Sequence, residues 1–292
     1  MSNLNTSRAS TRVRSFFRMI RTSKGLTLGF IIVAFFLLTS IAVVVSGLLG
    51  ARITPYDPIK QFVGPAMSGP SWSHLFGTDK LGRDVFSEII SAMPTDIGVS
   101  LAVVSVAFIA GGLIGSIAAF KGGLFDETLM RVTDLFFALP ALVLALVIAV
   151  ILGPGTLNMT FVLMIIWWPT YARLARGETL KVAHQNYIEA ARFSGLGSIR
   201  ILFRHVLPNI FFILLVYATL DVGTVVLVFS SLSYLGLAVT PPNVDWGQMV
   251  NLYQDNLLSA PWLPLFPGFI IALGVIGFSV FGDGLRDALE LR

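Results

Sequence analysis

Long apolar runs alternate with polar stretches along this chain, and the length of the runs is diagnostic. Crossing a hydrocarbon layer about 30 Å thick takes about 20 apolar residues in a helix. Six runs meet that need, at about 26–50, 98–120, 132–153, 156–172, 208–235 and 263–282. The pattern predicts an all-α membrane protein with six transmembrane helices. Two long polar segments, 51–97 and 236–262, fall on one side of the membrane, and one, 173–207, on the other. Tyr56-Asp57-Pro58 and Pro241-Pro242-Asn243 mark turns in the first two. Trp246 and Trp262 suit an aromatic belt at the membrane boundary.

Composition points the same way. Hydrophobic residues make up 55% of the 292 and charged ones 12%, whereas a soluble domain carries about 25% charged residues. The net charge of +4 is met by lipid head groups beside the spans, so nucleic acid is not needed to explain it. With no cysteine in the chain, a disulfide framework, a thiolate metal site and a cysteine nucleophile are excluded. His74, His184 and His205 are scattered, without metal-site spacing.

Lys and Arg set the orientation. With the N-terminus inside, all but four of them (Arg52, Lys60, Lys80 and Arg83) fall on the cytoplasmic side. Both termini are then cytoplasmic. The first run follows a basic stretch and exceeds the roughly 7–15-residue apolar core of a signal peptide, so it is read as an uncleaved helix. The expected organisation is a basic cytoplasmic tail, 1–25; a first helix, 26–50; an extracytoplasmic loop, 51–97; a five-helix core, 98–282, carrying the loop 173–207; and a cytoplasmic C-terminus, 283–292.

The cytoplasmic loop is the most informative segment. Residues 185–209 read QNYIEAARFSGLGSIRILFRHVLPN. A helical run over 187–193, with the small Ala190 and Ala191, is broken by Ser194-Gly195-Leu196-Gly197-Ser198. A second run, with Arg200 and Arg204 on one face, leads to Leu207-Pro208, where proline suits the first turn of a helix. Helix, bend and helix make a protruding knob that fits a cleft in another protein; an ordinary solvated loop is the plain alternative.

Glu189-Ala190-Ala191, then Gly195 and later Leu207-Pro208, resemble the EAA loop of ABC transporter permeases. Arg204-His205-Val206-Leu207-Pro208-Asn209 resembles the dipeptide, oligopeptide and nickel branch of that family. Gly77-Thr78-Asp79-Lys80-Leu81-Gly82-Arg83-Asp84 is similar to the branch's outer-loop signature, and Gly282-Asp283-Gly284-Leu285-Arg286-Asp287-Ala288-Leu289 to its C-terminus. These blocks point to the C-type permease of a pair. Phe229 and Met93 stand where the branch often has a glutamate and an arginine.

The resemblance implies a type I-like ABC importer permease fold, with 185–200 as the coupling helix that docks on an ATPase. Glu189, Ala190, Ala191, Gly195, Leu207 and Pro208 belong to that coupling loop. It also implies a second homologous permease in a heterodimer, two ATP-binding subunits and an extracytoplasmic solute-binding protein. The implied cargo is di- or oligopeptides, with oligosaccharides and nickel complexes as alternatives. No cofactor is expected in this chain. It has no G-x-x-x-x-G-K-[ST] loop, so ATP and magnesium belong to the partners.

Asp221 lies 13 residues beyond Pro208, about 20 Å along a helix. A carboxylate at that depth faces the bundle interior or water. It is a candidate pathway residue that meets cationic substrate groups; a buried bond to Tyr217 or Thr224 is the alternative. Arg131 and Asp134 are expected to pair on one helix face, and Asp79 and Arg83 across the outer turn at Gly77 and Gly82. The Gly111–Gly115 step is read as internal helix packing before dimerisation. A secondary transporter would need more ionisable groups in its spans and an internal repeat. An intramembrane metalloprotease would need H-E-x-x-H, which is absent.

Overall fold

The computed structural model describes residues 24–239 and 243–290. The basic tail before Lys24, the Pro241-Pro242 turn and Arg292 lie outside the described residues. Helix α1 is Lys24–Leu48. Helix α2, Val85–Val106, continues through a π-helical turn, Ala107–Gly111, into α3, Gly112–Lys121. Helices α4, Gly123–Phe137, and α5, Ala141–Leu152, meet at an angle of 86°. Helix α6 is Thr156–Ala183, and the short α7 is Asn186–Phe193. Helix α8, Ser198–Ile201, runs through a second π-helical turn, Leu202–Val206, into α9, Leu207–Tyr234. Helix α10, Trp246–Tyr253, and α11, Trp262–Glu290, complete the chain.

Among the described residues four helical stretches are long and apolar enough to cross a membrane: Lys24–Leu48, Val85–Lys121, Ser198–Tyr234 and Trp262–Ala288. The α4–α5 pair makes a fifth if its bent halves count as one span. The sixth run expected, 156–172, lies in α6. That helix has ample length at 28 residues, but Asn158, Trp167, Trp168, Pro169 and Arg173 interrupt its apolar character. Met159, Val162, Leu163 and Tyr171 bury one side of it among its neighbours.

Two expected boundaries are corrected. The run 132–153 is not one straight helix. Pro140 holds an extended backbone, φ −56° and ψ 133°, removes an N–H and bars its predecessor from helical geometry. The segment expected as an extracytoplasmic loop, 51–97, becomes helical after Asp84, because Asp84 caps α2 by accepting the Ser87 N–H at 2.9 Å. Glu88, Pro94 and Asp96 gave residues 85–97 a loop-like composition, yet both carboxylates are buried and bonded to distant partners. At the other ends, α6 runs to Ala183, well into the stretch expected as loop, and α11 runs to Glu290.

The core lies where α1, α2, α6, α9 and α11 converge, around fully buried Phe36, Ile89, Met93, Ile97, Met159, Leu163 and Phe229. Trp246 is part of it. Its ring meets Phe36 edge-on at 5.7 Å, and its Nε1 donates to the Ile89 carbonyl at 3.0 Å. With 0% exposure, Trp246 belongs to no interfacial belt, since its one donor already has a buried acceptor. The Gly111–Gly115 step packs inside the chain: Gly111 lies against the Trp168 carbonyl and Gly115 against Ala172 of α6.

Candidate functional site

Three groups of residues follow one another along the bundle. The first is the knob over residues 186–206, expected from the sequence as a cytoplasmic loop. Its sharp turn is a local hydrogen-bonded unit: the Leu196 N–H donates to the Ala191 carbonyl at 3.2 Å, and the Gly195 N–H to that of Arg192 at 3.0 Å. Gly195 sits at φ +77°. A left-handed glycine closed by those two bonds is a Schellman helix end. Ile188, Ile201, Leu202 and Val206 form a small core beneath it, with Ala191, Leu196 and Leu207 against its edge. Glu189 and Ala190 are exposed, as are Phe193 (91%) and Ile199 (76%). At the base, Arg192 lies over the Phe120 ring at 5.3 Å, and Asn209 Nδ2 donates to the Tyr187 hydroxyl at 3.2 Å. Pro208 stands in the first turn of α9. The knob therefore has an ordered apolar floor and an unpartnered apolar outer face.

The second group is a stripe on α9. Tyr217, Asp221, Thr224, Val228 and Ser231 follow at steps of four, three, four and three, and none is buried in the chain's own bundle. Those steps put them on one helix face. Asp221 lies at the middle of α9. It pairs with neither Tyr217 nor Thr224, the bonds considered from the sequence. Instead Trp167 Nε1 of α6 donates to its Oδ2 at 3.3 Å, and the Tyr171 hydroxyl adjoins it. Trp167 and Tyr171 are one turn apart on α6, so their donors converge on the carboxylate.

The third group is a clasp around the block expected in an outer loop, and it engages Gly77, Thr78, Asp79, Gly82, Arg83 and Asp84 of that block. Gly77 and Gly82 turn the chain at φ +75° and +70°. The Thr78 hydroxyl donates to the Pro65 carbonyl and accepts the Ser68 N–H at 2.9 Å. Asp79 Oδ1 accepts the Leu81 and Arg83 N–H groups at 2.9 and 2.7 Å, while its Oδ2 accepts Arg83 Nε at 2.8 Å. Arg83 also reaches Glu88 Oε1 at 2.9 Å and the Tyr253 hydroxyl of α10 at 3.3 Å. That hydroxyl lies 3.0 Å from Glu88 Oε2 and 3.2 Å from Asp79 Oδ2. Burial, then the neighbouring Glu88 and Asp79 carboxylates, push the Tyr253 phenol pKa up, so it stays protonated and donates. Asp84 binds His74 Nδ1 at 2.9 Å beside its capping bond. Thr78, Asp79 and Asp84 are buried. The block thus staples the loop to α2 and α10, and its named side chains are turned inward.

Glu88, Tyr253 and Trp167 were not found from the sequence, because Glu88 and Tyr253 meet 165 positions apart and Trp167 meets Asp221 54 apart. The expected Arg131–Asp134 pair is present but long, and Asp134 has a closer partner. Those two are 4.0 Å apart and exposed, while Arg173 of α6 binds Asp134 at 2.6 Å. An arginine from a neighbouring helix approaches head-on, which an i,i+3 neighbour on the same exposed face does not. Among the described residues no group of three His, Cys, Asp or Glu could hold a metal ion.

Comparison with known proteins accords with this architecture. Residues 111–292 match the family described as binding-protein-dependent transport system inner membrane component. The di/tripeptide transport system permease protein of Pseudomonas aeruginosa is 37% identical over 260 residues, covering 87% of this chain and 86% of that one. The dipeptide transport system permease protein of Alkalihalophilus pseudofirmus is 36% identical over 95% of this chain and 89% of its own. The glutathione transport system permease protein of Pectobacterium atrosepticum is 37% identical over 82% and 79%. An inward-facing structure of the MetNI methionine ABC transporter aligns with a TM-score of 0.58 and 16% identity, covering 70% of this chain and 97% of that one, a likeness of fold. By sequence match and by fold, this chain belongs to the binding-protein-dependent transport system inner membrane component family.

Proposed function

We propose that this chain is the C-type permease of an ATP-driven importer of di- and oligopeptides and lines half of the translocation pathway. It crosses the inner membrane six times, with α6 as the crossing that hydropathy alone does not single out, and keeps both termini in the cytoplasm. Its partners are a second, homologous permease, two ATPase subunits that bind ATP and magnesium, and an outer solute-binding protein.

One observation carries this reading. From Ser198 to Tyr234 the helix is continuous, so the segment that emerges from the knob is the helix that bears the polar stripe. A displacement of the knob is transmitted along α9 without a flexible joint. Exposed Phe193 and Ile199 give an ATPase cleft its apolar hold, and closure of two ATPases swings α9 between inward- and outward-facing arrangements. The stripe faces the pathway because a lipid-facing one would be apolar.

Proteoliposomes test it. The complete complex with its binding protein should accumulate a dipeptide only with ATP. In this cysteine-free chain, Ala190→Cys should cross-link to a cysteine placed in the ATPase cleft. Uptake that follows an ion gradient without ATP, or a cysteine at 190 that reacts with lipid-borne reagents and never with the ATPase, would sink the proposal.

A further inference from the structure

We infer that Asp221, bonded to Trp167 and flanked by Tyr171, is a binding point for the ammonium group of the substrate at the middle of the pathway; this rests on the peptide-permease reading above. Three observations carry it. Asp221 sits midway along the 28-residue α9, half-buried on the helix face that carries the exposed Tyr217 and Thr224. Its contacts are donors: the Trp167 indole N–H at 3.3 Å and the adjoining Tyr171 hydroxyl. No cationic side chain appears among those contacts. Third, the Tyr171 hydroxyl is buried beside the carboxylate and makes no hydrogen bond of its own.

One indole N–H bonded to the carboxylate, with a phenol beside it, leaves it as an acceptor, and a carboxylate at mid-membrane without a cation stands ready to accept one. A primary ammonium suits it, since it offers three donors on a compact charge that is small enough to enter beside Tyr217 and Thr224. The free amino terminus of a short peptide is such a group. One carboxylate gives one weak, reversible contact, as a conduit requires: strong enough to favour entry, too weak to trap.

The experiment uses the complete complex in proteoliposomes and compares ATP-driven uptake of a dipeptide with that of its desamino analogue, both at saturating concentration. Binding of each to the isolated solute-binding protein is measured separately. Asp221→Asn should reduce the dipeptide-to-desamino uptake ratio roughly tenfold, as expected for loss of one charge-assisted contact, and Asp221→Glu should largely retain it. If Asp221→Asn does not insert, Tyr171→Phe, which removes only a hydroxyl, must lower the ratio in the same direction. An unchanged ratio in a variant that still transports with ATP overturns the inference alone. Absence of ATP-driven dipeptide uptake by the wild-type complex overturns the functional reading, and the inference with it.

Discussion

Arg176 holds Asp126 at two points, Nε to Oδ1 at 2.7 Å and Nη2 to Oδ2 at 2.6 Å. Asp126 and Thr133 are the only residues α4 buries, and Arg173 bonds to Asp134 and Thr133. The helix thus hangs on α6 by two arginines. Arg176→Lys keeps the charge but loses the parallel pair of bonds. The Arg176 side chain is 34% exposed, so screening limits the loss to about 1 kcal/mol. Amide exchange should speed up in α4 and leave α9 unchanged; equal protection of α4 in the variant would show that its apolar contacts suffice.

Gly115 gives a sharper test of packing. A Cβ there would fall on the backbone carbonyl of Ala172, which has no flexible side chain to give way. Gly115→Ala should cost about 1–3 kcal/mol or more and lower the folded yield in detergent, read by size-exclusion profile after heating. Gly112→Ala is the control. Its Cβ would meet Leu214 Cδ1 at 3.5 Å, an ordinary contact, so the variant should melt no lower than wild type. Equal behaviour of the two would refute the close approach of α3 and α6.

The two variants also mark what a sequence can disclose. The Gly111–Gly115 step and the knob were legible because their signals are local: small residues at helical spacing, and a glycine that closes a helix with its own bond three positions back and that of Leu196 five positions back. Helices α1, α9 and α11 were legible through unbroken apolar runs. The opening turns of α2 were not. Glu88 and Asp96 look like loop residues until Tyr253 and Trp246, more than 140 positions away, supply their bonds. Trp246 misled for the same reason, and the closest partner of Asp134, Arg173, is 39 residues distant. Long-range polar pairing leaves no period in the chain.

Asp245 joins that long-range set and yields a pH dependence. It is fully buried, caps α10 by accepting the Gln248 N–H at 2.9 Å, and accepts the Ser233 hydroxyl. Burial pushes its carboxyl above the usual range, and the Asp96 carboxylate stands near it. A raised folded-state pKa favours the fold below the unfolded value, about 3.9. That contribution is lost as pH rises through the folded one. Asp245→Asn keeps a good cap and removes the charge. It should melt above wild type at neutral pH, and the gap should close as pH falls toward about 4. A gap that does not change with pH would mean that the ionised carboxylate costs the fold nothing.

At Gly195 strain and bulk make different predictions. The residue sits at φ +77°, and a Cβ there would meet nothing within 4 Å in this chain. Substitution is then resisted by backbone geometry, about 1–2 kcal/mol for an ordinary L-residue, and less for asparagine, which tolerates left-handed turns. ATP-driven uptake should therefore fall in the order Asn, Ala, Val, with valine worst because its branched Cβ crowds the carbonyl. Insertion and bundle melting should stay at wild-type levels, since the turn lies outside the main core. Wild-type uptake in all three variants would show that coupling does not need the turn. An order set by side-chain volume, with asparagine as poor as valine, would instead mean that the partner's surface presses directly on position 195.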